Sequence, residues 1–156
     1  MTGHSANVHA TAIVVGTAGL LFIGPSGAGK SITAFNCLAA AQRAGVAASL
    51  IADDRVVVAS EGGRLVATCP DSISGLIEIR GSGILRLPHV ASAPLDLAVL
   101  ICNPSTADRL PPADEVHTIP DVGILPQIRL MAGTAEPLSL IACFYPEIGI
   151  PRPFSP

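Results

Sequence analysis

A glycine-rich stretch of the chain reads Gly24-Pro25-Ser26-Gly27-Ala28-Gly29-Lys30-Ser31. It fits the phosphate-binding pattern GxxxxGK[ST], and it lies between an aliphatic run and an Ala/Leu-rich run, where a strand and a helix are expected. In such a loop the backbone N–H groups surround an anion, and the helix start adds about half a positive charge. Lys30 would reach the β- and γ-phosphates of a nucleotide, and the Ser31 hydroxyl would bind Mg²⁺. The stretch therefore predicts a nucleotide site.

Two adjacent carboxylates, Asp53 and Asp54, follow the apolar run Ser49–Ala52. This run begins soon after the predicted helix, so we expect its end to lie beside the glycine-rich loop. Phosphoryl transfer needs an oxygen ligand for Mg²⁺ and an acceptor for the proton of the nucleophile, and two acids could divide these roles. The alternative interpretation is that the two aspartates only mark a polar transition from strand to turn and have no catalytic role.

Tight turns and one helix dominate the pattern of the first half of the chain. Turn residues at Gly16–Gly19 and at Glu61–Gly63 separate apolar runs and predict two β-hairpins. The composition of residues 31–44 predicts a helix, with Gly45 as its carboxyl-terminal cap. Because tight turns join antiparallel strands, the pattern predicts an α/β fold with a mixed, largely antiparallel sheet and few helices.

Apolar runs in the second half of the chain are harder to assign. Residues 95–102 and 138–144 are predicted as buried strands, with a proline-rich connection between them. We expect a single domain over residues 1–156, with irregular structure at 1–8 and 147–156.

Composition excludes several classes of protein. Hydrophobic residues make up 49% and charged residues 13%, against the usual ~25% charged, so the chain is not intrinsically disordered. Aromatic residues are 3% and the net charge is −3, which argues against a nucleic-acid surface. The mean hydropathy is +0.56, but glycines and Pro25 interrupt the uncharged stretch 10–29, so no membrane segment is expected. The four cysteines form no closely spaced pair, so we expect no metal cluster and a cytoplasmic protein.

In these motifs the chain resembles the HPr kinase/phosphorylase family. Five stretches carry the resemblance, and one of them is similar to the family signature GxLEIRGLGI. In order they are Val8-His9, Gly24–Ser31, Leu50–Val56, Gly75–Ile84 (the signature) and, more weakly, Asp108-Arg109-Leu110. We expect the resemblance to cover roughly residues 8–145, nearly the whole chain.

The resemblance implies a fold, an activity and partners. The fold would be similar to the nucleotide-binding part of phosphoenolpyruvate carboxykinase, with the phosphate-binding loop on a mixed sheet. The activity would be ATP- and Mg²⁺-dependent phosphorylation of a serine on HPr, the phosphocarrier of the sugar phosphotransferase system. The reverse activity would be phosphorolysis of phosphoserine-HPr by inorganic phosphate, giving pyrophosphate. The family also implies a homo-oligomer.

The resemblance also assigns roles to individual residues. Asp54 would accept the proton in the kinase direction and donate it in reverse, with Asp53 as a supporting carboxylate. The remaining residues are Lys30 at the phosphates, Ser31 and Glu78 at Mg²⁺, His9 as the amino-terminal active-site histidine, and Arg109 as the active-site arginine.

Departures from the family pattern leave two other functions open. No counterpart is found for the family's separate N-terminal domain or its C-terminal helices, so a short form is expected. Ile32 stands where the family usually has Glu, and residues 126–133 depart from the family's late PVRPGR motif. The alternatives are a small-molecule kinase with a related phosphate loop and a non-catalytic nucleotide-sensing module. The module would keep Lys30 and Ser31 but would not need Asp54 or Arg109.

Overall fold

The structure is a computed structural model that describes residues 3–154, within which the chain forms twelve strands and two α-helices. The first seven elements in chain order are β1 (Ser5–Val8), β2 (Thr11–Val15), β3 (Ala18–Ile23), α1 (Lys30–Arg43), β4 (Ala48–Ala52), β5 (Val56–Glu61) and β6 (Arg64–Thr68). The other seven are β7 (Leu76–Ile79), β8 (Gly83–Arg86), β9 (Ser92–Pro94), β10 (Leu97–Cys102), β11 (Val116–Ile119), β12 (Gly123–Met131) and α2 (Pro137–Phe144).

A six-stranded mixed sheet forms the centre of the molecule, in the order β11-β12-β10-β3-β2-β4. Strand β10 runs parallel to both of its neighbours, β3 and β12, and the other neighbouring pairs are antiparallel. The predicted mixed α/β architecture with few helices is therefore confirmed. Because β3, β10 and β12 are parallel, the loops that follow them leave the same edge of the sheet.

A second sheet and the helices cover opposite faces of this central sheet. The second sheet is antiparallel, in the order β1-β5-β6-β9, and β7 pairs with β8 in a separate hairpin. Strand β3 is buried along its whole length, and its side chains alternate between two hydrophobic cores. Leu20 and Phe22 pack with α1 and α2, whereas Leu21 packs with the second sheet.

The predictions based on local turn signals are confirmed. Strands β2 and β3 form the first hairpin, β5 and β6 form the second, and helix α1 covers nearly the range predicted for it. The apolar run at 95–102 forms the buried strand β10. None of the helices formed by residues 3–154 has the length and apolar character needed to cross a membrane.

Two predictions in the second half of the chain are wrong. Residues 138–144 belong to helix α2 and not to a strand, because Pro137 opens a helical turn and a short apolar run fits either structure. The proline-rich connection contains β11 and β12, which pair with each other. Pro126 does not prevent β12 from forming, although proline cannot donate a backbone hydrogen bond within a sheet.

The prediction of irregular structure at residues 1–8 is also wrong for Ser5–Val8, which form β1. This strand pairs with β5, and its alternate residues Ala6 and Val8 pack against the core between the sheets. Its polar composition conceals this alternation. Residues 1 and 2 lie outside the described residues. At the other end, a single 3₁₀ turn at Pro146–Ile148 overlaps the segment 147–156, of which residues 155 and 156 are likewise outside the described part.

Candidate active site

The glycine-rich loop connects the end of β3 to the start of α1. Gly27 has a φ of +80°, a conformation that side chains rarely adopt. A Cβ atom at this position would lie 3.2 Å from Nη1 of Arg80, which approaches the loop from outside. The absence of a side chain at Gly27 therefore lets a guanidinium group contact the loop backbone.

Lys30, the first residue of α1, folds back over this loop. Its Nζ donates hydrogen bonds to the carbonyl oxygens of Gly24, at 2.8 Å, and Pro25, at 2.9 Å. The side chain is buried, and this burial lowers the pKa of the ammonium group, while the nearby carboxylates of Asp54 and Asp53 act in the opposite direction. The ammonium group is thus held at the loop by neutral carbonyls, which an incoming phosphate could replace.

Asp53 is buried directly after β4 and accepts hydrogen bonds from residues of β2, α1 and β7. Its Oδ1 accepts hydrogen bonds from Thr11 Oγ1 at 2.8 Å and from Ser31 Oγ at 2.6 Å. Its Oδ2 accepts one from the backbone N–H of Glu78 at 2.9 Å. The carboxylate is therefore fully engaged, and it fixes the Ser31 hydroxyl at the start of α1.

Asp54, unlike Asp53, is exposed. Its φ of +69° lies in the left-handed region, which Asp tolerates better than most residues. Its Oδ1 lies 3.2 Å from Nδ1 of His9, which is also exposed. The carboxylate is thus available to a substrate and is close enough to Lys30 to act on its pKa.

These side chains share one open cleft of about 470 Å³ beside the glycine-rich loop. The cleft brings together most of the site residues predicted from the sequence, namely His9, Ser26, Gly27, Gly29, Lys30, Ser31, Asp53, Asp54 and Glu78. Arg80 and Ser82 also line it, and sequence reasoning assigned no role to either. Glu78 and Arg80 stand on either side of the half-buried Ile79, and this alternation along a strand places both charged side chains on the same face.

Arg109 is not brought to this cleft within the chain. It lies in the exposed segment between β10 and β11 and lines a separate groove of about 720 Å³ with Leu110 and Phe144. The groove is lined by this segment together with residues of β12 and α2. The segment leads to β11, which pairs with β12 at the edge of the sheet. The prediction that Arg109 joins the other site residues is therefore not met in the single chain.

The oxygen atoms in the cleft fit a magnesium ion better than a transition metal. Ser31 and Asp53 are in direct contact, and Glu78 is exposed at the same cleft. Mg²⁺ prefers such hard oxygen donors and is usually held by one or two carboxylates together with substrate phosphates. Residues 3–154 contain no cluster of three or more His, Cys, Asp or Glu side chains that could hold a metal without a phosphate.

Comparison with protein families finds one clear match. A model of the family described as "HPr Serine kinase C-terminal domain" matches residues 2–93, more than half of the chain. This range contains the glycine-rich loop, the two aspartates, His9 and the β7–β8 hairpin. All of the residues that line the cleft lie within the matched range.

Individual relatives agree with this match. The HPr kinase/phosphorylase of Limosilactobacillus reuteri is 34% identical over 146 residues, which cover 86% of this chain and 43% of that protein. The HPr kinase/phosphorylase of Levilactobacillus brevis is 32% identical over 146 residues, covering 86% of this chain and 45% of the relative. The chain thus spans less than half the length of these relatives.

A solved structure shows the same fold. The Hpr(Ser) kinase/phosphatase from Coxiella burnetii superposes with a TM-score of 0.71 at 23% sequence identity. The superposition covers 91% of this chain and 99% of that one. The arrangement of sheets and helices described above is therefore shared over almost the full length of both chains.

Proposed function

The chain belongs to the HPr serine kinase C-terminal domain family, and on that premise we propose that it is an ATP-dependent kinase acting on a serine of the phosphocarrier HPr. One observation carries the proposal: Lys30 and Asp54 face the same cleft at the glycine-rich loop, while Asp53 holds Ser31. This arrangement supplies a cation for the phosphates and a separate, exposed carboxylate for the acceptor. We therefore interpret residues 24–31 as a phosphate-binding loop.

The proposed transfer moves the γ-phosphoryl group of ATP to a serine of HPr. The serine hydroxyl oxygen of HPr attacks the γ-phosphorus of ATP while its proton passes to Asp54. The bond between the γ-phosphorus and its bridging oxygen breaks, and ADP leaves with the electron pair of that bond. Lys30 and Arg80 stabilise the negative charge that spreads over the phosphoryl oxygens, and His9 orients the carboxylate of Asp54.

Ser31 and Glu78 would hold the Mg²⁺ ion of the nucleotide, which neutralises phosphate charge when it is bound, while Asp53 keeps the Ser31 hydroxyl in place. In the reverse direction, an oxygen of inorganic phosphate would attack the phosphorus of phosphoserine. Asp54 would then return the proton to the serine oxygen, and pyrophosphate would leave. The curated relatives carry both activities in their name, which supports this second direction.

Intact-mass analysis of HPr incubated with the protein, ATP and Mg²⁺ tests the proposal. We expect HPr to gain one phosphate on a serine, and the Lys30→Ala variant to lose both this transfer and ATP binding. Arg43→Ala is the matched control, because it removes a cation at the exposed far end of the same helix. ATP binding without phosphorylated HPr would favour the nucleotide-sensing module, and transfer of the γ-phosphoryl group of ATP to a metabolite would favour the small-molecule kinase.

A further inference from the structure

A second cavity, of about 620 Å³, lies on the other side of the glycine-rich loop. It opens at the edge of the central sheet where the parallel strands β3, β10 and β12 end. The loop residues Ser26 and Gly27 line both this cavity and the cleft. The carboxyl ends of parallel strands are where open α/β sheets bind their ligands, and the volume lies within the roughly 300–1,000 Å³ of small-molecule pockets.

The direction of phosphoryl transfer relates the cavity to the cleft. The attacking and leaving oxygens lie roughly in line on opposite sides of the transferred phosphorus. Because Asp54 lies in the cleft, the acceptor hydroxyl must enter from the cleft side. The leaving oxygen, with the rest of the nucleotide attached to it, must then point away from Asp54. The second cavity shares the loop residues Ser26 and Gly27 with the cleft but is not lined by Asp54, so it is the space that can receive the rest of the nucleotide.

The chemistry of the cavity suits an uncharged ligand group better than a phosphate. The one guanidinium in its lining, Arg129, is already engaged by Glu115 through hydrogen bonds of 2.8 and 2.5 Å. Asp108, also in the lining, lies 3.9 Å from the same guanidinium. The cations of the site, Lys30 and Arg80, line the cleft instead.

Apolar and hydrogen-bonding groups complete the lining. Cys102 and Ala132 supply apolar surface where β10 and β12 end. The side-chain oxygen of Asn103 accepts hydrogen bonds from the backbone N–H of Ser105, at 2.9 Å, and from its hydroxyl, at 2.8 Å. This fixes the Asn103 amide and leaves its NH₂ group as the donor. A base, with its flat apolar faces and hydrogen-bonding edge, and a hydroxyl-bearing ribose match such a surface.

We propose that this cavity, which we term the nucleoside pocket, binds the base and ribose of the nucleoside triphosphate whose phosphates occupy the glycine-rich loop. The inference rests on the proposed function, since it concerns the remainder of the same nucleotide. It assigns Cys102, Asn103, Asp108 and Ala132 to nucleoside binding, a role that the sequence motifs do not indicate.

Substitution of Ala132 distinguishes binding of the nucleoside from binding of the phosphates. Calorimetry should show that Ala132→Phe weakens ATP binding by about tenfold or more, because the larger side chain fills the pocket. Binding of inorganic tripolyphosphate, which lacks a nucleoside, should change by less than about twofold. Ala135→Phe is the matched control, since Ala135 is exposed and lies outside the pocket. An equal loss for both ligands, or unchanged ATP binding, would overturn the inference.

A labelling experiment on the unmodified chain gives the same answer without a substitution. Alkylation of Cys102 by iodoacetamide, followed by peptide mapping, should slow severalfold in the presence of ATP and stay unchanged with tripolyphosphate. The exposed Cys143 serves as an internal control that neither ligand should protect. Equal protection of Cys102 by both ligands, or by neither, contradicts the nucleoside pocket. If tripolyphosphate and ATP both fail to bind the unmodified chain, the proposed function fails as well.

Discussion

Asp53 and Asp54 are adjacent and chemically identical, yet the structure gives them different environments. Asp53 is buried and accepts hydrogen bonds from two hydroxyls and a backbone N–H. Asp54, one residue further, has a positive φ and faces the cleft beside His9. Their environments therefore suit one carboxylate to holding Ser31 and leave the other free to accept a proton.

Asp54→Asn tests the proton-acceptor role. Asn has nearly the same size and tolerates the left-handed conformation, but it cannot take the proton, so we expect serine phosphorylation to fall by about 10²-fold or more. ATP affinity should stay near normal or rise. The control is Asp121→Asn, which makes the same change at an exposed turn residue with a φ of +63°. Phosphorylation within a few-fold of the unmodified protein would exclude the assigned role.

Asp53→Asn tests the structural carboxylate next to it. The amide replaces one acceptor oxygen by a donor that faces other donors, so unfolding should become easier by about 1–3 kcal/mol. Thr11→Val removes only one of the hydrogen bonds to Asp53 and should cost about 1 kcal/mol. Urea denaturation measures both changes. If Thr11→Val destabilises the protein more than Asp53→Asn, the buried carboxylate does not organise this part of the site.

At the scale of single elements, local signals explain which predictions succeeded. The hairpin turns and the boundaries of α1 depend on glycines at fixed positions, and these can be read without knowledge of the rest of the fold. Helix α2 could not be assigned this way, because a run of eight largely apolar residues fits a buried strand as well as a helix. Strand β12 contains a proline, and only its pairing with β10 and β11 makes it a strand.

The burial of individual residues in α2 distinguishes helix from strand. Ile141 is fully buried against α1, whereas its neighbour Leu140 is 36% exposed. Ile141→Ala should therefore destabilise the protein by about 2–5 kcal/mol, because it leaves a cavity in the core. Leu140→Ala, the same type of truncation one position away, should have a much smaller effect. Thermal unfolding monitored by circular dichroism would reveal the difference, and equal losses would contradict the helical orientation.

The ion pair between Glu115 and Arg129 connects the exposed segment before β11 to strand β12. Hydrogen bonds from Arg129 lower the pKa of Glu115 below its ordinary value of 4.5, so the folded state favours the charged form. The pair therefore stabilises the protein above pH 4.5, and this contribution is lost as the pH falls through the lower folded value.

Glu115→Gln should lower the melting temperature by a few degrees at neutral pH, and by less below pH 4.5, where the unmodified residue begins to be protonated. Glu61→Gln, at an exposed position at the end of β5, provides the control and should leave the melting temperature nearly unchanged at both pH values. If the difference in melting temperature between Glu115→Gln and the unmodified protein grew as the pH fell, the charged form of Glu115 would not be the one that stabilises the folded state.

At the scale of the whole molecule, the candidate site forms where the chain passes between the two sheets. His9 lies between β1 of the second sheet and β2 of the central sheet, and Asp53 and Asp54 lie between β4 and β5, which belong to different sheets. Motifs in the sequence predicted these residues as candidates. The approach of Arg80 to Gly27 and the separation of Arg109 depend on how distant elements pack, which no local pattern encodes.

The chain also passes from the second sheet to the central sheet between β9 and β10, and there it packs against Gly19. Its backbone N–H donates to Asp96 Oδ2 at 2.9 Å, and its carbonyl accepts from the N–H of Asp96 at 2.8 Å. The same carboxylate accepts a hydrogen bond of 2.7 Å from Arg64 in the second sheet. A Cβ atom on Gly19 would lie only 1.9 Å from the carbonyl oxygen of Pro94. Since this contact involves backbone on both sides, it cannot be relieved by a side-chain rotation.

Gly19→Ala should therefore force the two sheets apart and destabilise the protein by about 3 kcal/mol or more, at the upper end of the cost of overpacking. Gly123→Ala is the control, because its Cβ would meet only the flexible end of Leu65, at 2.8 Å, and should cost less. Strand β3, which contains Gly19, leads directly into the glycine-rich loop, so Gly19→Ala should also weaken ATP binding, whereas Gly123→Ala should not. Urea denaturation and calorimetry measure the two effects. If Gly19→Ala left stability unchanged, the close approach of β3 to Pro94 would not be what holds the two sheets together.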